Sequence, residues 1–201
     1  LRALATRYAD AVDRLNGWIG GLTRWLIVVM VVVGAYNAVA RYATRDLGVN
    51  LASNSLNELQ WYLFSVVFLL GAAYCLKEDV HVRVDVLYER LSPRVRGWID
   101  LLGAALFLLP FCVLMIQVSI PAVRNSWRIL ETSSDPGGLP RYPLKTLLLV
   151  AFGLLFLQGL AQIVRAVDRI RGGEDDPPKH DHGIRVGTPE TDPSAAPEAG
   201  R

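Results

Sequence analysis

Trp61-Tyr62-Leu63-Phe64-Ser65-Val66-Val67-Phe68-Leu69-Leu70-Gly71-Ala72-Ala73-Tyr74-Cys75-Leu76 is a run of sixteen residues without one charged side chain. A helix rises about 1.5 Å per residue, so this run and its flanks cover the roughly 30 Å of bilayer hydrocarbon. Leu26–Ala40, Leu101–Ile116 and Leu147–Val164 have the same character. A surface helix of a soluble bundle keeps a polar face, and these runs have none. With 52% hydrophobic and 20% charged residues, the chain reads as an all-α membrane protein with four transmembrane helices. The spans fall at about 22–43, 57–77, 95–123 and 143–166, within a membrane domain covering residues 22–171.

Lys and Arg orient the spans. Thirteen lie before the first span, between the second and third, and just after the fourth; six lie on the opposite side. The richer side is cytoplasmic, which places both termini inside. Residues 1–24 are too charged for a cleavable leader, so the first apolar run is expected to stay as a helix. In residues 1–21, Leu4, Tyr8, Val12, Leu15 and Ile19 recur at near-helical spacing. That segment reads as an amphipathic helix on the membrane surface or as an extension of the first span, and both remain open. Residues 172–201 are rich in Gly, Pro, Asp and Glu, a composition that cannot fold alone, and are expected to be a disordered tail.

Local signals place the helix ends. Ser55 and Glu58 fit the capping pattern that starts a helix. Ser92-Pro93 and Pro143 should open the third and fourth helices, and Pro110 should kink the third. Asp135-Pro136-Gly137-Gly138 is a turn. The loop Lys77–Arg96, carrying His81, Arg83 and Asp85, is expected to form a short interfacial helix with Val82 and Val86 toward lipid.

Candidate residues are those suited to packing and anchoring. Gly34, Asn37 and Arg41 share a face of the first span, and small residues with a hydrogen-bonding amide suit helix association. Gly71 and Gln117 offer similar packing points. Gln158, Gln162, Arg165 and Arg169 align along the fourth helix. Trp61 sits where an interfacial aromatic anchor belongs. Arg41 and Glu58 flank one outer loop and are expected to pair with each other or with a partner subunit, since neither charge is cheap beside lipid.

Chemistry is hard to place on this chain. His81, His180 and His182 all lie outside the spans, which excludes a haem held between two span histidines. Cys75 and Cys112 sit in apolar runs, as small packing residues do. No cofactor, metal or catalytic residue is expected. A net charge of +2 gives no case for nucleic acid. No Asp or Glu lies centrally in a span, where ion-coupled carriers place such groups.

Asn57-Glu58-Leu59-Gln60-Trp61-Tyr62-Leu63-Phe64, Phe68 to Tyr74, His81-Val82-Arg83-Val84-Asp85-Val86 and Leu91-Ser92-Pro93-Arg94 together resemble the small permease subunit, DctQ-like, of tripartite ATP-independent periplasmic (TRAP) transporters. Asn37 and Arg41-Tyr42, Ser126-Trp127 and Asp135 to Pro140 are similar too, and the likeness runs over roughly residues 20–170. It implies a multi-pass protein of the bacterial inner membrane, not an enzyme. Its implied partners are a large permease subunit, a periplasmic solute-binding protein and membrane lipid. The small subunit would scaffold the large one, which uses a sodium gradient to take up an organic acid or related solute. An independent carrier or channel, and the membrane anchor of a redox complex, are the alternatives. Transport by the purified chain alone would favour the first, and a bound chromophore the second.

Overall fold

The computed structural model describes residues 2–47, 53–78 and 91–171. The expected interfacial helix, with His81, Arg83 and Asp85, lies outside the described residues, as does the tail 172–201. The described chain is helical: α1 Arg2–Leu47, α2 Asn54–Lys77, α3 Pro93–Gly103, α4 Leu109–Arg128 and α5 Tyr142–Ile170. A π segment, Ala104–Leu108, joins α3 to α4 in one rod. Among the described residues, four helical stretches are long and apolar enough to cross a membrane, namely Ala3–Thr44, Asn54–Lys77, Arg94–Arg128 and Tyr142–Ile170.

Residues 2–21 form the unbroken beginning of α1, whose 46 residues make a rod about 69 Å long. Ala9, Val12, Asn16 and Ile19 are buried, while Arg7, Asp10 and Arg14 are exposed. The buried stripe packs on another helix: Ala9 and Val12 form a cluster with Ala161 of α5, flanked by Tyr8 and Val164. α5 touches each of the other helices, with α1 and α2 forming the longest pairing beside it. Its buried residues are small or amide-bearing: Ala151, Gln158, Gly159, Ala161 and Ala166. Lipid gives helices no hydrophobic reason to associate, so close backbone approach of this kind does the holding. At Gly97 on α3 a Cβ would come within 2.9 Å of Ile170 and 3.1 Å of the Ala166 carbonyl. Only glycine allows that approach to α5.

Ser92, extended, stands before Pro93 at the start of α3, and Pro143 lies in the first turn of α5, as the residues indicate. One local expectation needs correction. The cap of α2 is Ser53, whose hydroxyl accepts from the Ser55 amide at 3.2 Å. Ser55 instead donates to the Gly137 carbonyl at 2.5 Å, and Glu58 turns to the same loop. At Pro110 the helix takes up the missing N–H with the π segment just before it. There the Leu109 amide reaches back to the Ala104 carbonyl, an accommodation common inside helices.

Candidate functional site

Two polar assemblies hold the helices together. The first runs along α5. Asn16 of α1 donates its amide to Gln158 Oε1 at 2.7 Å, and Gln158 Nε2 donates to Asp13 Oδ1 at 3.0 Å. The other Asp13 oxygen pairs with Arg165. One helical turn further, Arg169 pairs with Asp100 of α3 at 2.6 Å. Asn16 and Gln158 are 0% and 1% exposed. An unpaired amide or charge at such depth is costly, so these six residues select one docking of α1, α3 and α5. The alignment of Gln158, Arg165 and Arg169 was visible in the sequence. Their mates Asp13, Asn16 and Asp100 were not among the expected residues. The signal for Asp13 and Asn16 is their spacing of three on the buried stripe of α1.

The second assembly closes the loop between α4 and α5. α4 ends with the Glu131 amide bonded to the Ser126 carbonyl at 3.0 Å. Leu130 takes a left-handed conformation, φ 46°, at a position where glycine is usual. The turn at Asp135–Gly138 forms as expected, with Gly137 at φ 73° and the Gly138 amide on the Asp135 carbonyl at 2.9 Å. Glu58 then pins the loop: it accepts from the Leu139 amide at 2.6 Å and from the Ser133 hydroxyl. Tyr62 adds a bond to the Pro140 carbonyl at 2.9 Å, and Asn54 one to the Pro136 carbonyl at 3.2 Å. The expected Arg41–Glu58 pair is therefore not formed. Arg41 is exposed on α1, and the loop's donors occupy Glu58 instead.

Glu131 at the other end of the loop pairs with Lys145 and accepts from the Ser126 hydroxyl. These two contacts, the lysine first, hold its carboxyl below the ordinary carboxylate range. A lowered folded-state value means stabilisation that is complete above the unfolded carboxyl value and lost as pH falls through the folded one. Backbone amide exchange in residues 131–141, corrected for intrinsic rates, should stay level from neutral pH down to about 5 and accelerate below about 4. Glu131→Gln should shrink that acid step. A step of undiminished size in the variant would mean that Glu131 does not control the loop.

The structure thus sorts the candidate residues. Asn37, 4% exposed, is enclosed within the bundle with Oδ1 unpartnered among the described residues. Gln158 and Glu58 are engaged by other parts of the same chain. Trp61, Arg41 and Gln117 lie exposed on α2, α1 and α4. Gly71 lines a groove between α1 and α2. Broad apolar faces surround these points: Trp25, Val32 and Tyr36 on α1, Phe64 and Phe68 stacked at 6.2 Å on α2, and Phe107 in the π segment. Among the described residues, no three of His, Cys, Asp and Glu gather where a metal could be held.

Residues 30–169 match the family described as tripartite ATP-independent periplasmic transporters, DctQ component. The chain belongs to the DctQ family. The match takes in the C-terminal part of α1, residues 30–47, then α2, α3 and α4, and α5 as far as Arg169, so both polar assemblies other than Asp13 and Asn16 fall within it. Comparison with curated proteins and with solved structures gave no match. A DctQ component is the small membrane subunit of a transporter that works with a large permease and a periplasmic binding protein, and the family is not one of enzymes. Four membrane-crossing helices accord with that place in the system.

Proposed function

We propose that this DctQ chain is a fixed scaffold for the large permease subunit. The complex would drive uptake of an organic acid or related solute down a sodium gradient across the bacterial inner membrane. One observation carries the reading. Six charged and amide side chains of α1, α3 and α5 engage one another, in the Asn16–Gln158–Asp13–Arg165 chain and the Asp100–Arg169 pair. Groups locked in this way make a rigid bundle and leave the outward apolar faces for a partner and for lipid. The basic-residue distribution supports cytoplasmic termini.

The complex tests this directly. Large subunit co-purified with the chain should fall in parallel with solute uptake when Tyr36, Phe64 or Gln117 is changed to a bulky charged residue. Purified alone, the chain should bind neither solute nor sodium. Reporter fusions after Glu89 and Gly172 should read cytoplasmic, and those after Asp46 and Asp135 periplasmic. A variant that assembles fully yet alters solute selectivity would overturn the scaffold reading.

A further inference from the structure

A groove of about 660 Å³ runs between α1 and α2, within the size range of small-molecule pockets. Its walls include Ile27, Val67, Phe68, Ala72 and Cys75, and one charged side chain, Arg24, enters the lining. Gly71 opens onto this space: a Cβ there would meet no atom within 4 Å.

The depth of Arg24 is set by the pairing of the two helices. Gly17 lies against Lys77, Gly20 against the Tyr74 ring and Gly34 against Gln60, so α1 and α2 run antiparallel. That register puts Arg24 level with Leu70. Leu70 is seven residues, or about 10 Å, inside the charge-free run that ends at Lys77. Arg24 is exposed and has no ion-pair partner among the described residues. From that level the Arg24 side chain, tilted toward the N-terminus of α1 as helix side chains are, reaches back toward the Lys77 side, where its guanidinium matches a phosphate in charge and in bidentate geometry. Trp25 beside it is 71% exposed, as an interfacial anchor is. An apolar trough entered by one unpaired cation has the two-part chemistry of an anionic phospholipid. A purely apolar partner helix would bury the charge against nothing.

We propose that this groove binds an anionic phospholipid from the leaflet on the Lys77 side, with an acyl chain along Val67–Cys75 and its phosphate on Arg24. The site requires only the chain itself, so it stands or falls apart from the scaffold reading. The full-length chain, purified in mild detergent, is titrated with dioleoyl phosphatidylglycerol or dioleoyl phosphatidylcholine and examined by native mass spectrometry. One phosphatidylglycerol should be retained per chain, with about fivefold preference over phosphatidylcholine, the worth of one basic residue near anionic lipid. Arg24→Gln should bring that ratio to about one, and Arg24→Lys should keep most of it, which guards against a misfolded variant. Gly71→Leu should reduce retention of both lipids. Equal retention of the two lipids by the unaltered chain would overturn the proposal, as would a preference that survives Arg24→Gln. So would loss of co-purified large subunit in Arg24→Gln with lipid retention unchanged, which would assign the groove to an acidic segment of that partner.

Discussion

Replacing Asp100 by leucine is expected to cost about 3 kcal/mol, because it strands the Arg169 guanidinium between α3 and α5. The Asp100 side chain is 6% exposed and that of Arg169 is 28% exposed, so the arginine can recover only part of its hydration. For a chain of this size, the loss should lower the thermal midpoint in detergent by about 6–12 °C. The double variant Asp100→Leu, Arg169→Leu should return to within about 1 kcal/mol of the original, since an apolar pair of similar volume replaces a buried ion pair at little cost. If the double variant is as unstable as the single one, the pair is not the principal contact of Asp100 and the effect comes from another of its contacts.

Gln158→Leu should loosen α1 without unfolding the bundle. The substitution removes the acceptor for the Asn16 amide and the donor to Asp13. Asn16 is fully buried and its Oδ1 already lacks a partner among the described residues, so the side chain would be stranded at both ends. One stranded buried group costs about 1–3 kcal/mol. Amide exchange over residues 2–20 should accelerate by about thirtyfold, with α4 and the lower part of α2 unchanged. Asn16→Leu combined with Gln158→Leu should restore much of the protection. Unchanged exchange over residues 2–20 in the single variant would show that Tyr8, Ala9 and Val12 hold α1 by themselves.

The helices were readable because each depends on neighbours in sequence: an apolar run, a proline in a first turn, an aspartate-proline-glycine turn. The polar assemblies were readable on one side only. Gln158, Arg165 and Arg169 stand out as polar residues repeating along an apolar helix. Asp13 and Asn16 are about 145 residues away, and nothing local states that α1 crosses α5 there. Arg41 and Glu58 show the converse. Opposite charges beside one loop suggest a pair, but a carboxylate near backbone N–H and hydroxyl donors gains bonds of comparable strength without holding a long arginine in one rotamer. The loop 131–141 supplies those donors, and it comes from a distant part of the chain. At Pro110 the missing N–H is evident in the sequence. Whether the helix bends or inserts an extra residue per turn depends on the surface it must present to Gly159, where Leu108 and Leu109 pack.

The long rod α1 also carries an elastic consequence. Between Arg24 and Arg41 it offers sixteen uncharged residues, about 24 Å of apolar length, against roughly 30 Å of hydrocarbon. Tilting corrects a helix that is too long and makes a short one shorter, so the shortfall is met by Arg24 and Arg41 reaching outward along their own length and by the bilayer thinning where it meets α1. Each ångström of compression costs a fraction of a kcal/mol, and the strain is stored in the lipid, outside the protein. The thickness of the host membrane thereby becomes one of the terms that set how firmly this subunit stands and where in the plane it settles. A neighbour with an equally short belt would share the dimple and be drawn toward it before any side chain touches.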